Sequence, residues 1–439
     1  MTYRWTPSAL LPSEHVFLVG GAVRDALLGQ TVRDHDYVVV GLGVEQMSAL
    51  GFESVGKDFP VFLEPVTKEE YALARVERKT GPGYHGFAMD VNGVTLEEDL
   101  ARRDLTINAM ALSTDGTLVD PFGGQKDLNG KVLRHVSEAF SEDPLRVLRV
   151  ARFAARYPDF TIAPETMALM KGMVEAGEID HLVAERVWLE FTKAAKTEKP
   201  SRFIAVLREC GALARVLPEV DALYTIPQVA EHHPEIDTGI HTEMVIDQAA
   251  RLAPGNIRVI FAALTHDLGK AKTDPNAWPK HHNHEELGLE PLERLAKRWK
   301  IPSDVKQLAQ AVCEHHLNCH RLTESRTGTF LKLIERIDGF RNPQRVYEFV
   351  LACEADARGR LGLENRLYPQ AKMLTHIFEA ARAVSAKPFV EQGLNGLEVK
   401  EALRDARLRA IRQAQNELKA ADAPAKTAEA PQTVRKVSP

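Results

Sequence analysis

The apolar residues of this chain change their period at about residue 138, and that change limits what it can fold into. Between residues 15 and 137 they come in short β-branched runs, His15-Val-Phe-Leu-Val19 and Tyr37-Val-Val-Val40, with Phe59 to Leu63 and Tyr71 to Val76 as further strands. Gly20-Gly21, Gly41, Gly81-Pro82-Gly83 and Pro121-Phe-Gly-Gly124 separate them as turns. From Glu142 onward the period is 3.6: Leu145, Leu148, Val150 and Phe153 open a pattern that continues through Glu185 to Lys196 and Phe203 to Leu207. The expected class is α+β, a small sheet-and-helix head followed by an all-α remainder.

A chain of 439 residues has room for about three structural units. The expected divisions are a head at 1–137, a helical neck and body at 138–226, a histidine-rich helical unit at 227–341, and a C-terminal helical segment at 342–419. Pro227, His232-His-Pro234 and Asn342-Pro343 mark the junctions. Residues 420–439 lack apolar periodicity and read as a disordered tail. No apolar run approaches the roughly 18 residues of a membrane span, and the N-terminus has no signal-peptide pattern. The four cysteines form no Cys-x-x-Cys pair and read as reduced thiols. A cytoplasmic protein without membrane attachment is expected. A net charge of −5 excludes a globally basic nucleic-acid binder, so any RNA contact must come from local patches.

In the head, Phe17-Leu-Val-Gly-Gly-Ala-Val-Arg-Asp25 reads as strand, glycine turn and helix start. Backbone amides there can approach a phosphate, with Arg24 one turn in to pair with it. The run lacks both the Gly-Lys-Ser/Thr of a P-loop and the third glycine of a dinucleotide fingerprint. Downstream, Asp34 and Asp36 are two apart, which on a strand turns both carboxylates to one side. Their mutual repulsion is relieved if Mg²⁺ sits between them, and two such ions serve nucleotidyl transfer. Arg102, Arg103 and Asp104 then cluster in Glu97-Glu-Asp-Leu-Ala-Arg-Arg-Asp104, which also reads as a charged surface helix with Glu98 supporting Arg102. In the helix from Asp143, Arg146, Arg149, Arg152 and Arg156 fall within a sector of roughly 120° with few acids beside them in sequence, a stripe suited to a triphosphate or RNA backbone. Asp143 and Arg146, one turn apart, offer an acceptor and a forked donor to a base edge.

Ten of the 16 histidines lie between His232 and His320, about a fifth of the chain, which points to a metal-binding unit. Its ordered features are His241, His266-Asp267-Leu-Gly-Lys270, His281-His-Asn-His284, His315-His316 and Asp356. An alternative is a zinc site of Cys313, His315, Cys319 and His320, whose spacing fits no standard pattern.

Gly20-Gly21, Asp34-x-Asp36, Arg102-Arg-Asp-Leu-Thr-Ile-Asn108, Asp120-Pro-Phe-Gly-Gly124 and Glu142-Asp-Pro-Leu-Arg146 together resemble the bacterial class II tRNA nucleotidyltransferase and poly(A) polymerase family. The likeness covers nearly the whole chain and is to the multifunctional CCA-adding branch that carries an HD domain. It implies addition of C, C and A to tRNA 3′ ends from CTP and ATP without a nucleic-acid template. Asp34 and Asp36 would be the Mg²⁺ ligands, and Gly21, Arg24, Arg103, Arg149 and Arg152 would bind the nucleotide. Asp143 and Arg146 would be a protein template for the base. The histidine-rich set resembles the HD phosphohydrolases, in which His241, His266, Asp267 and Asp356 would hold a divalent metal. The family links that unit to phosphatase, 2′-nucleotidase and 2′,3′-cyclic phosphodiesterase activities, with Ni²⁺ favoured for the first. Which of His282, His284, His315 and His316 join as ligands, and whether the monomer assembles further, stay open. Two rivals remain: a poly(A) polymerase, against which Phe59-Pro-Val-Phe-Leu-Glu64 stands where that relative is more basic, and an HD phosphohydrolase whose head only binds nucleotides.

Overall fold

The computed structural model describes residues 3–32, 34–55, 61–79 and 87–422. Strands β1 (Val16–Val19), β2 (Asp36–Val39), β3 (Glu53–Val55), β4 (Val61–Leu63) and β5 (Glu70–Leu73) are followed by the antiparallel pair β6 (Val76–Lys79) and β7 (Phe87–Asp90), then β8 (Ala111–Leu112) and β9 (Leu118–Val119). All but β6 and β7 join one mixed sheet in the order β3-β4-β5-β2-β1-β8-β9, in which β2 runs antiparallel to β1 and parallel to β5. Period-two alternation gives the sheet two apolar faces. Leu18, Tyr37, Val39, Tyr71 and Leu73 join the main core, while Val19, Val38 and Ala111 pack with Leu100 and Ala109. The strand expected over Tyr71 to Val76 is broken at Ala74 and Arg75, and the part of the Phe59 to Leu63 run before Val61 lies outside the described residues, as does the Gly81-Pro82-Gly83 turn.

Helix α1 (Gly21–Leu27) leaves β1 at the glycine turn, and α2 (Leu96–Ala101) starts at a Thr95 cap whose hydroxyl accepts from the Glu98 N–H. Glu98 therefore closes its own capping box, and Asp99 takes the place expected for it as the partner of Arg102. The arginine-striped helix α3 (Leu145–Arg156) buries Val147, Leu148, Val150, Ala151 and Ala154 on the side opposite the stripe, as the 3.6 period requires. The remainder is helical with one exception, β11 (Thr161–Ile162), which pairs in parallel with β10 (Val132–Leu133) of the head.

Helix α4 (Ala184–Ala195) joins the two halves of the molecule. It packs on α3, while its Trp188 and Phe191 meet Phe261 of α6 and Trp299 of α7 at ring-centroid distances of 5.6 to 6.3 Å. Helices α5 (Thr238–Leu252), α6 (Ile257–Thr265), α7 (Leu289–Trp299), α8 (Ser303–His320) and α9 (Pro343–Arg358) form the histidine-rich bundle, with α6 buried against α5, α8 and α9. Helix α9 carries Asp356 into this bundle. Helices α10 (Pro369–Arg382) and α11 (Gly396–Asp422) pack on each other at the end of the described chain. The tail expected from Ala420 begins inside α11, and its remainder lies outside the described residues. No described helix is long and apolar enough to cross a membrane.

Candidate active sites

Register brings the head motifs together. Val19, the last residue of β1, pairs with Asp36, the first of β2, so the Gly20-Gly21 turn rises beside that carboxylate. Gly20 has φ +68°, and a Cβ there would come within 2.9 Å of Arg103 Nη1. The parallel neighbour β5 sets Glu70 level with Asp36, and both line a cleft of about 630 Å³ whose floor is Val38 and Ala72. Asp34 lies two residues before β2 begins and is exposed, so the strand pairing expected for the two aspartates reaches only Asp36. Burial pushes the Asp36 carboxyl above its ordinary pKa; Arg103 opposes this, and Glu70 and Asp34 add to it. Two neighbouring carboxylates thus add to the cost of charging Asp36, a cost that a hard divalent cation would relieve. Glu70 was missed because its signal is tertiary: only the β2–β5 register puts it beside Asp36.

The other wall is basic. Arg24 and Arg103, then Arg149, Arg152 and Arg156 of α3, line the same cleft. The sequence suggested few acids near this stripe, but the fold supplies one for each of the last three. Asp104 Oδ2 accepts from Arg149 Nε and Nη2 at 2.7 and 2.6 Å, Glu190 of α4 accepts from Arg152 Nε at 2.5 Å, and Asp25 accepts from Arg156 at 2.9 Å. These acids lie 38 to 131 residues away in sequence. Asp104 is buried; burial alone would raise its pKa, but Arg149, the Asn108 amide and the Leu105 N–H outweigh it and hold the carboxyl far below the usual range. Asn108 in turn accepts from Arg24 Nη1. Asp104 and Asn108 thus tie Arg24 to Arg149. Asp99 does the same for Arg102 and Arg103, at 2.7 and 3.2 Å.

At the end of the arginine wall, Asp143 and Arg146 also line the cleft. Asp143 Oδ1 caps α3 by accepting from the Leu145 N–H, and Oδ2 accepts from Arg186 of α4 at 3.1 Å. The Arg146 guanidinium donates to the carbonyls of Ala139 and Arg102, at 2.6 and 2.5 Å.

The second site lies in the helical bundle. His241 of α5, His266 and Asp267 at the end of α6, and Asp356 of α9 converge: His241 Nε2 is 3.1 Å from Asp356 Oδ1, and His266 Nε2 is 3.1 Å from Asp267 Oδ2. Of the four histidines left open, the structure brings in His284 and His316, whose Nε2 atoms lie 3.3 and 3.8 Å from Asp267 Oδ1 and 3.3 Å from each other. His282 is exposed, and His315 turns to Glu314. Every converging imidazole sets Nδ1 on a backbone carbonyl: Gly359 for His241, Ala263 for His266, His281 for His284 and Val312 for His316. Glu235 adds a carboxylate 3.0 Å from His241 Nδ1. With Nδ1 donating, the Nε2 lone pairs face inward. His266 Nε2 and Asp267 Oδ1 are buried without a hydrogen bond among the described residues, the condition a cation would relieve. Burial drives His316 down to about 3, which keeps it neutral as a ligand must be. Three groups among the described residues could hold a metal, His233-Glu235-His241, His241-His266-Asp356 and Asp267-His284-His316, the first two sharing His241. Asp267, His284, His316 and Asp356 line a cavity of about 200 Å³ with Lys270 and Arg360. The alternative zinc set does not assemble, since Cys313 Sγ points to the Glu285 carbonyl and His320 Nε2 sits 2.6 Å from Asp356.

Comparisons with known proteins match these units. Residues 16–134 match the family described as the poly A polymerase head domain, 159–224 a probable RNA and SrmB-binding site of polymerase A, and 238–342 the HD domain. A multifunctional CCA protein of Nitrosococcus oceani is 57% identical over 400 residues, covering 91% of this chain and 98% of its own. One from Methylococcus capsulatus is 55% identical over 413 residues, covering 93% and 96%. Among solved structures, a CCA-adding enzyme in complex with ATP aligns with TM-score 0.62 at 20% identity, covering 92% of this chain and 89% of that one. A Thermotoga maritima CCA-adding enzyme complexed with tRNA aligns with TM-score 0.57 at 20% identity, covering 92% and 91%.

Proposed function

The chain belongs to the multifunctional CCA proteins, CCA-adding tRNA nucleotidyltransferases with an HD domain, and from that membership we propose how its two sites divide the chemistry. The observation that carries the proposal is the single cleft in which Asp36 and Glu70 face a wall of arginines. Asp34 and Asp36 hold Mg²⁺, with Glu70 adding charge beside them. When bound, the metal lowers the cost of activating the tRNA 3′-hydroxyl and of charge on the departing pyrophosphate. Gly20 brings the Gly21 turn against Asp36, and Arg24, Arg103, Arg149 and Arg152 hold the triphosphate of CTP or ATP, oriented by Asn108, Asp99, Asp104 and Glu190. Asp143 and Arg146 form the base-reading corner. A carboxylate there accepts from the exocyclic amine that cytosine and adenine share, and repels the carbonyl that uracil and guanine present in its place. The other substrate is the tRNA acceptor end, and the compartment is the cytoplasm.

In the HD domain, His241, His266, Asp267 and Asp356 hold a divalent metal, Ni²⁺ among the candidates, with His284 and His316 placed for a second. A bound metal polarises a phosphate and lowers the pKa of its water. Lys270, held 2.6 Å from Asp267, and Arg360 supply positive charge for the phosphate of a monoester or a 2′,3′-cyclic phosphate.

The test supplies Mg²⁺, CTP and ATP with a tRNA lacking its CCA and sequences the products. C-C-A that stops there is expected; a long A tail would instead mark a poly(A) polymerase. Asp34→Ala is expected to abolish addition and spare cyclic-phosphate hydrolysis, and Asp267→Ala the reverse. Loss of both activities from either change, in a folded protein, would overturn the two-site division.

A further inference from the structure

We propose that His233 is a specificity-determining residue of the HD site, where it accepts a hydrogen bond from the free ribose hydroxyl beside the phosphate and so favours ribonucleoside 2′- or 3′-phosphates over other monoesters. The inference rests on the HD cavity being a phosphate site and adds the contact that reads the sugar.

The run His232-His-Pro234 reads in the sequence only as a junction, yet His232 and His233, with Gln228 and Val229 before them, line the cavity of about 200 Å³. All four precede the segment 238–342 that matches the HD domain. The loop that carries them is tied on several sides. The Gln228 N–H donates to the Ile236 carbonyl at 2.7 Å, the His233 N–H to the Val229 carbonyl at 2.9 Å, and Arg360, just past α9, to the His232 carbonyl at 3.3 Å. Asp237 closes the loop by capping α5, accepting from the Ile240 N–H at 3.0 Å.

Most histidines at this cavity have both ring nitrogens engaged. His284 and His316 turn Nε2 toward Asp267, and His281 meets Thr273 Oγ1 and the Pro227 carbonyl, each at 2.8 Å. His233 is engaged through one nitrogen. Its Nδ1 lies 3.0 Å from Glu235 Oε1, the oxygen that also faces His241 Nδ1, and its Nε2 has no hydrogen-bond partner among the described residues. Glu235 is itself fixed, with its side chain 2% exposed and Oε2 accepting from the Leu361 N–H at 3.3 Å. A ring that gives its Nδ1 proton to a carboxylate keeps the Nε2 lone pair for a donor. The His233 ring stands perpendicular to that of His241, with centroids 4.6 Å apart, and shares the cavity with Lys270 and Arg360.

The class of ligand follows from what a lone pair can meet. A phosphate dianion offers only acceptors, which suit Lys270 and Arg360 and not an open imidazole nitrogen. In a ribonucleoside 2′- or 3′-phosphate, the donor beside the phosphate is the hydroxyl on the adjacent ribose carbon. A monoester without that hydroxyl leaves the His233 nitrogen unmatched in a cavity largely closed to water.

The experiment compares full-length parent, His233→Asn and His233→Gln. Asparagine keeps a donor for Glu235 and places nothing at the Nε2 position, whereas glutamine carries an acceptor that far. With Ni²⁺ present, kcat and KM are read for adenosine 2′-phosphate and its 3′-deoxy analogue, together with inhibition by inorganic phosphate and Ni²⁺ affinity by calorimetry. The parent is expected to prefer the hydroxyl-bearing ester by about 10-fold in kcat/KM, and His233→Asn to bring the ratio close to one through KM, with Ni²⁺ affinity and phosphate inhibition unchanged. His233→Gln is expected to keep part of the preference. A parent that hydrolyses neither ester and is not inhibited by phosphate would overturn the phosphate reading of the cavity, and this inference with it. Equal use of the two esters by the parent, or an undiminished preference in His233→Asn, would overturn the role of His233 alone. So would a 10-fold loss of Ni²⁺ affinity in His233→Asn with the preference kept, which would make the residue a support for the metal. The parent's own ratio needs no variant, so the proposal stays refutable if His233→Asn does not fold.

Discussion

Replacing Asp104 with asparagine is the sharpest test of how the cleft is held together. Both oxygens of this buried carboxylate are fully used: Oδ2 accepts twice from Arg149, and Oδ1 accepts from the Leu105 N–H and Asn108 Nδ2 at 2.8 and 3.0 Å. An asparagine must therefore turn its NH₂ toward donors whichever way it flips. The cheaper flip gives up the two neutral bonds, each about 1 kcal/mol, and leaves Arg149 on an uncharged oxygen, for a total of about 2–4 kcal/mol. Arg149 is about a third exposed, so water recovers part of its share, and the lower half of that range is expected. For a unit the size of head and body this lowers Tm by about 4–12 °C. The same flip releases Asn108 from Asp104, and Asn108 is the acceptor of Arg24 Nη1. Two of the arginines proposed to hold the triphosphate loosen together, so kcat/KM for both CTP and ATP is expected to fall by about 100-fold. The sign of the pH dependence is also fixed. Asp104 titrates lower in the folded protein than in the unfolded chain, so its stabilisation is complete above the unfolded value near 4 and is lost as pH falls below it. The difference in melting temperature between parent and variant should be full at pH 7 and shrink below pH 4. A variant that adds nucleotides within threefold of the parent, or a difference in melting temperature that widens in acid, would refute the account.

Three further outcomes are expected. Gly20→Ala combines a left-handed φ with a Cβ at 2.9 Å from Arg103, so it should cost about 1–3 kcal/mol in a thermal melt and depress nucleotide addition, whereas Gly29→Ala, with the same φ of +68° but open space, should leave addition intact. Glu235→Gln, which weakens the orientation of His241, should reduce metal affinity at the HD site by about 10–100-fold in calorimetry, and an unchanged affinity would mean that the Gly359 carbonyl alone sets the ring. Binding of tRNA should weaken steeply between about 50 and 200 mM salt despite the net charge of −5; a flat response would remove the arginine-lined RNA track.

What the sequence revealed and what it hid follow from distance along the chain. The change of period at about 138 foretold the head and the helical remainder because hydrophobic periodicity is a local property, and the Gly-Gly turn, Asp36, the arginine stripe and the His-Asp pair are short-range patterns of the same kind. Glu70, Asp25 and Glu190 have no such signature. Each is an ordinary acid on an ordinary strand or helix, and only the β2–β5 register, the approach of α1 to the end of α3 or the packing of α4 on α3 brings it to the cleft.

Helix α4 shows why this matters for function. Its sequence, Ala184 to Ala195, reads as an amphipathic segment and nothing more, yet its sides serve separate ends. Trp188 and Phe191 lock against Phe261, five residues before His266, so the bundle that holds the HD ligands is seated on the same helix that lines the transferase cleft. Glu190 is 2% exposed and paired with Arg152, which leaves it almost no freedom to move. A buried acid in a helix otherwise free to present alanine there costs desolvation, and it is tolerated only where an arginine must be held still. The cleft is thus preorganised from behind, by a buried acid that holds one of its arginines.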